Sequence, residues 1–206
     1  MTRARGGEAA KRDLRHAARA RRARLTAGLD RDAAGRAIVD AVLPLVPDRG
    51  RVAVYESLPT EPPTGPLIEA LLAAGHEVIV PVTLADYSLD WRYAAAGAVG
   101  DAATLTRHAP GDVTGTLGPE ALASCSLVVT PGLAVDRHGV RLGQGGGCYD
   151  RALAHRDPAV PVITLLHEGE ASDVDLPCDH HDQLVDGYAT TTGRLVRLTE
   201  RPTPRD

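Results

Sequence analysis

Apolar residues along the chain fall into two rhythms, and their alternation predicts an α/β fold. Residues 8–28 lack proline, are rich in Ala, Arg and Leu, and read as a helix with a narrow stripe of Leu14, Ala18 and Leu25. A second amphipathic helix is predicted over 31–46, carrying Ala34, Ile38, Val42 and Leu45, with Pro44 and Pro47 ending it. Residues 65–74 form a third helical segment closed by Gly75. Between the helices lie short apolar runs of strand length: 51–55, 77–82, 127–130 and 161–166. A further strand is predicted at 89–93, with Trp91 and Tyr93 on one face. Those aromatics could flank a flat heterocycle or simply fill the core. Residues 94–119 have no period and read as long loops. The rhythm predicts a single α/β domain over 1–206, three-layered α/β/α, with a mostly parallel, Rossmann-like sheet. The polar tail over 193–206 is expected to fray.

Composition narrows the functional classes. A formal charge of −4 gives no bulk attraction to nucleic acid or to a membrane surface. No apolar run approaches the roughly 20 residues that span a bilayer. The arginine-rich start lacks the apolar core of a secretion signal, and Cys125, Cys148 and Cys178 have no metal-type spacing. A cytoplasmic protein with reduced thiols is expected. Lys11 is the only lysine, against 22 arginines, which asks what an ammonium does there that a guanidinium would not. Lys11, Arg15 and Arg19 share one helix face, read as a solvated basic face or a nucleic-acid arm.

The densest chemistry lies between Val128 and Leu153. A buried strand ends at Pro131-Gly132, and after Arg141 come Gly143, Gly145, Gly146 and Gly147, leading to a helix start at Tyr149-Asp150-Arg151. Glycine amides can converge on a phosphate, and a helix N-terminus adds unpaired donors. Arg141 and Arg151 can supply forked bonds. Asp150 beside a polyphosphate implies an intervening cation such as Mg²⁺. The same residues could also build a glycine-rich surface turn. No Gly-Lys-Ser/Thr follows, and Cys148 stands where a G-x-G-x-x-G pattern needs glycine. Glu61, after the strand at 51–55, could accept paired N–H donors of a heterocycle or complement a helix start. Asp179, His180, His181 and Asp182 invite a zinc reading, which the divergence of adjacent histidines argues against.

Residues 131–136 (PGLAVD) and 139–151 (GVRLGQGGGCYDR) together resemble the signature of the 5-formyltetrahydrofolate cyclo-ligase family. The resemblance runs from Lys11 to about Thr190 and is sharp over 131–151. It implies ATP- and Mg²⁺-dependent conversion of 5-formyltetrahydrofolate to 5,10-methenyltetrahydrofolate, with ADP and phosphate released. It implies catalytic roles for Arg141 and Lys11. ATP contacts are implied from Lys11, Arg15, Arg141, Leu142, Gly143, Gln144, Gly145, Gly146, Gly147, Cys148 and Tyr149. By the same resemblance Glu61, Cys148 and Tyr149 hold the reduced folate, and Asp150 and Asp182 hold the metal. Small-molecule partners, no nucleic acid, no membrane and a monomer are the corresponding expectations. Two places depart from the family pattern: Cys148 replaces an aromatic, and Gly115–Pro119 lacks a Gly-x-x-Glu-Pro segment that lines the folate pocket. They leave open an ATP-using relative with another substrate, and the arginine-rich first helix leaves open a non-catalytic nucleotide or RNA binder.

Overall fold

The computed structural model describes residues 3–95, 107–109 and 114–198. In chain order the elements are α1 (Arg3–Thr26), α2 (Arg31–Val42), β1 (Arg51–Val54), α3 (Gly65–Ala73), β2 (Glu77–Leu84), β3 (Leu89–Tyr93) and β4 (Arg107–His108). There follow β5 (Leu127–Pro131), β6 (Ala134–Val135), β7 (Arg141–Leu142), α4 (Cys148–Leu153), β8 (Val162–Leu166), β9 (Gly187–Thr190) and β10 (Leu195–Arg197). The main sheet runs β10-β9-β8-β5-β1-β2-β3, with β4 also paired to β2. It is parallel except at its two edges, where β3 turns back on β2 and β10 on β9.

Strand periodicity assigns the two faces. Val52 and Val54 pack with Ile38, Val42, Leu67, Ile68 and Leu71 of α2 and α3. Ala53 points the other way, towards Trp91, Leu122, Leu153 and Tyr188. The strands are buried on both faces, as parallel strands between helical layers must be. Asp30 caps α2 by accepting from Asp32 and Ala33 amides at 3.1 and 3.0 Å.

Four expectations need correction. The α2 helix stops at Val42 rather than 46, because Pro44 has no N–H to donate and the chain tightens into a 3₁₀ turn over Leu43–Leu45. The tail does not fray from 193: Gly193 turns the chain and β10 pairs antiparallel with β9, while 199–206 lie outside the described residues. The loop region holds β4, with 96–106 and 110–113 also outside the described residues. The stripe expected on α1 packs only in part: Ala18 is buried and Leu14 is half-buried against the same cluster, while Leu25 is not. Leu25 is 38 % exposed, whereas Lys11 and Arg22 are buried together with Ala18. Those three positions recur at helical spacing, so α1 docks through two cations together with Ala18 and Leu14. Ala18 packs on Leu133, Ala134, Val140 and Leu142 around the small antiparallel pair β6–β7.

Candidate active site

Parallel α/β sheets place sites at the carboxyl ends of their strands, where loops converge. Here Tyr55, Glu56, Leu58 and Glu61 leave β1, Pro131 and Gly132 end β5, and the glycine loop follows β7. All of them line one pocket with Lys11 and Arg15 of α1. The pocket is open to solvent, and the cavity itself measures about 230 Å³.

The glycine loop is not the direct strand-to-helix turn expected from sequence, since β6 and β7 intervene between β5 and the loop. The loop still leads into a helix, α4, through Gly147 in the left-handed conformation. Gly145 (φ 107°) and Gly147 (φ 64°) both need backbone angles costly for other residues. Among the described residues, the five amides from Gly143 to Gly147 donate to no protein acceptor. Three guanidiniums bracket the loop: Arg141 lies against Gly143, Arg15 against Gly145 and Arg151 against Gly147. Free amides ringed by cations form an anion cradle.

Each cation is held by named partners. Lys11 Nζ donates to Asp179 Oδ2 at 2.7 Å and to Asp182 Oδ2 at 2.6 Å. Burial opposes its charge, but the two carboxylates outweigh that and raise its pKa, so the ammonium stays charged. The Lys11 hydrogen bond in turn holds Asp179 below its usual range. Arg15 Nε donates to Gly143 O at 3.3 Å, and Arg19 clasps Gln144 through Oε1 and O at 3.0 and 2.9 Å. Arg141 is almost wholly enclosed, donating to Asp150 Oδ1 at 3.0 Å and Pro131 O at 3.3 Å. Its guanidinium stands 5.7 Å from the Tyr149 ring centroid. Arg141 Nε and the Tyr149 hydroxyl are buried without a hydrogen-bond partner in the protein. Buried orphans in a pocket wall mark where a ligand's polar atoms would go.

At the floor Glu61 is 5 % exposed, with Oε2 accepting from Leu58 N at 3.0 Å. Burial pushes its carboxyl above the usual range, only partly offset by that amide, Arg22 and Gln144. Arg151, read from sequence as a phosphate contact, instead donates to Tyr87 O and Gly146 O at 2.6 and 3.0 Å. Burial raises the Cys148 thiol above its usual range, against the pull of Arg151 and Arg141.

Every residue that the family resemblance assigned to ATP, folate or metal lines this pocket, whereas Arg151 does not. Asp150 Oδ1 accepts from Gln183 N, next to Asp182, at 3.2 Å, but Asp150 is not in the cluster of Asp179, His181 and Asp182. The donor set suits Mg²⁺, a hard ion that takes carboxylate oxygens. The hydrogen bonds to Asp150 fall on Oδ1 and those to Asp182 on Oδ2, leaving one oxygen of each outside them. Asp179, His181 and Asp182 also cluster within 4.8 Å, but the Lys11 ammonium already bridges the two aspartates, and His180 is not in the group.

Some expectations failed and some residues were missed. Trp91 is fully buried in the core and Tyr93 lies at the surface beside Arg51, so neither flanks a ligand. Gly115–Pro119 is pinned to β3 through Leu117 and Gly118 amides and contributes no pocket wall. Missed were Tyr55 and Glu56, directly after β1, where strand-end position alone was a signal. The clamp on α1 was missed too. Buried Arg22 pairs with Glu170 at 2.7 and 2.8 Å and also donates to Gly132 O. Nothing in local sequence announces a pair 148 residues apart.

Fold and pocket together define an α/β protein with an anion cradle at its strand ends and a basic helix closing it. The chain belongs to the 5-formyltetrahydrofolate cyclo-ligase family, whose model matches residues 7–191. A 5-formyltetrahydrofolate cyclo-ligase of Mycolicibacterium smegmatis is 31% identical over 152 residues, covering 71% of this chain and 76% of that protein. A namesake from Escherichia coli K12 is 38% identical over 109 residues, covering 50% and 56%. Among solved structures, the Aquifex aeolicus 5,10-methenyltetrahydrofolate synthetase matches with a TM-score of 0.68 at 23% identity, covering 95% of this chain and 96% of that one. The Mycoplasma pneumoniae 5,10-methenyltetrahydrofolate synthetase matches at 0.60 and 19% identity, covering 85% and 95%. These two likenesses show the shared fold. No helix among the described residues is long and apolar enough to cross a membrane.

Proposed function

We propose that this protein converts 5-formyltetrahydrofolate to 5,10-methenyltetrahydrofolate at the expense of ATP, releasing ADP and phosphate. The observation that carries the reading is the pocket itself. An unsatisfied amide cradle flanked by Arg15 and Arg141 shares one pocket with Lys11 and with a buried carboxylate, Glu61.

The chemistry follows from what each ligand needs. The formyl oxygen of an amide is a poor leaving group, and transfer of the terminal phosphoryl of ATP converts it into a good one. N10 then attacks the formyl carbon, the five-membered ring closes, and the original formyl oxygen departs with the phosphate. Phosphoryl transfer needs alignment and charge neutralisation more than covalent help. The Gly143–Gly147 amides and Arg15 would hold the phosphates. Lys11 would share its ammonium between its aspartates and the terminal phosphate. Arg141, fixed by Asp150 and Tyr149, would face the charge building on the transferred group. Mg²⁺ held by Asp150 and Asp182 would supply further neutralisation of that charge. Glu61 would accept paired N–H donors from the pterin edge, and Tyr149 would offer its unpartnered hydroxyl to the same ligand.

Purified protein with ATP, Mg²⁺ and 5-formyltetrahydrofolate should generate the methenyl chromophore with one ADP per turnover. ATP consumption without that chromophore would transfer the site to another substrate.

A further inference from the structure

The turn that carries Glu61 is poor in amide donors, since Pro59, Pro62 and Pro63 have no N–H. Its four consecutive carbonyls from Pro59 to Pro62 are nevertheless all taken, by side chains of three other segments. Arg31, the first residue of α2, donates through Nη1 to Pro59 O at 2.7 Å and to Glu61 O at 3.1 Å. The Tyr55 hydroxyl donates to Pro62 O at 3.1 Å. Thr60 O lies 3.0 Å from Nε2 of His167, which follows β8 and is 107 residues away in sequence. A carbonyl only accepts, so Nε2 carries the proton of this imidazole. His167 is 2% exposed, and burial holds its pKa below the usual range, so the ring is neutral. Its Nδ1 is buried with no hydrogen-bond partner in the protein, which leaves the bond to the turn as the ring's polar contact. The ring's own backbone is braced: His167 N donates to Glu170 Oε2 at 2.8 Å, and Arg22 clamps Glu170.

Thr60 O and Glu61 N–H belong to one planar peptide unit. His167 holds the oxygen of that unit, and Leu58 O accepts its N–H at 2.9 Å. Arg31 holds the oxygen of the next unit, Glu61 O. Both peptide planes that meet at the Glu61 Cα are therefore fixed, and the carboxylate is tied to Leu58 N through Oε2. Neither His167 nor Arg31 lines the pocket, so each can act there only through the turn. Resting on the folate reading above, we propose that His167 and Arg31 are positioning residues for Glu61. They hold the two peptides that flank it, so the carboxylate meets the pterin edge already aligned and little ordering is left for the binding step.

The test is a split between the two Michaelis constants. With ATP saturating, His167→Leu should raise KM for 5-formyltetrahydrofolate about fivefold, the scale of one neutral hydrogen bond, and leave KM for ATP unchanged. Loss of folded enzyme alone would lower kcat and leave KM where it is. His167→Gln, whose amide can still donate to Thr60 O, should recover part of the affinity. Arg31→Ala, at the partly exposed start of α2, should raise the same KM, and it reads the proposal even where His167→Leu does not fold. In a Glu61→Ala background His167→Leu should add nothing further, there being no carboxylate left to position. A folate KM unmoved by either substitution overturns the proposal, as does a full additional rise in the Glu61→Ala background. A raised KM for ATP in its place would assign His167 to the α1 clamp through Glu170, and overturns it too. Absence of methenyl product from wild type defeats the folate reading itself, and the proposal with it, whereas wild-type turnover with indifferent variants defeats the positioning role alone.

Discussion

Lys11 and Glu61 carry opposite charges into the same pocket by opposite physical means. Lys11 keeps its charge because two aspartates touch it, so removing its ammonium leaves those carboxylates facing the phosphate site unneutralised. Lys11→Ala should raise the KM for ATP about tenfold or more, with far-ultraviolet circular dichroism preserved. An unaltered KM in a folded variant would take Lys11 out of the nucleotide site. Glu61 is destabilising where it is charged. Burial raises its pKa above the usual 4.5, so the folded protein holds that proton more tightly than the unfolded chain. Its favourable contribution is therefore present at low pH and lost as pH rises through the folded value. Glu61→Gln should melt at a higher temperature than wild type at pH 7, with the difference fading below about pH 4.5. Folate affinity should fall in the same variant, a stability gain at a functional site. Equal melting temperatures at both pH values would contradict the buried-charge assignment.

The two elements that make the pocket, the glycine loop and α1, differ in how well they can be read from sequence. The loop is legible because backbone conformation restricts residue choice: Gly145 at φ 107° and Gly147 at φ 64° tolerate little else. Gly145→Ala should disturb the cradle at a strained position costing about 1–2 kcal/mol, and lower kcat/KM for ATP while leaving most of the fold's stability. Full ATP efficiency in that variant would show that the amides do not grip phosphate. The extent of α1 is legible from its composition, but its docking is not. Apolar periodicity pointed to Leu14, Ala18 and Leu25, while the helix is held by Lys11 and by Arg22 on Glu170. Long-range ion pairs leave no periodic trace, which is why Lys11 and Arg22 were not read as part of the face that Leu14 and Ala18 share. Arg22→Met strands the wholly buried Glu170 charge, at a cost of about 3–5 kcal/mol. Urea unfolding should show this, with the double variant Arg22→Met/Glu170→Met less destabilised than the sum of the single ones. Strict additivity would mean the two side chains act separately.

Across the whole molecule the layered architecture follows from strand and helix rhythm, since a parallel sheet buries both faces and must be covered twice. The edges were harder to read, because β10 is three residues long and acquires its strand character from pairing with β9. The membership of the pocket was legible through the signature at 131–151 and through the solitary lysine. Its outer wall was not, since Thr83 and Leu89 meet only through sheet register. What the fold accomplishes is to bring α1, the strand ends and the segment around Asp182 together across as much as 171 residues of sequence. The proposed reaction makes that convergence measurable. Substrate carrying ¹⁸O in its formyl group should yield inorganic phosphate containing one labelled oxygen per methenyl product, because the cradle delivers the phosphoryl group to that oxygen. Unlabelled phosphate accompanying full product formation would mean that ATP does not activate the formyl group, and the arrangement of phosphate cradle and folate floor would have to be read another way.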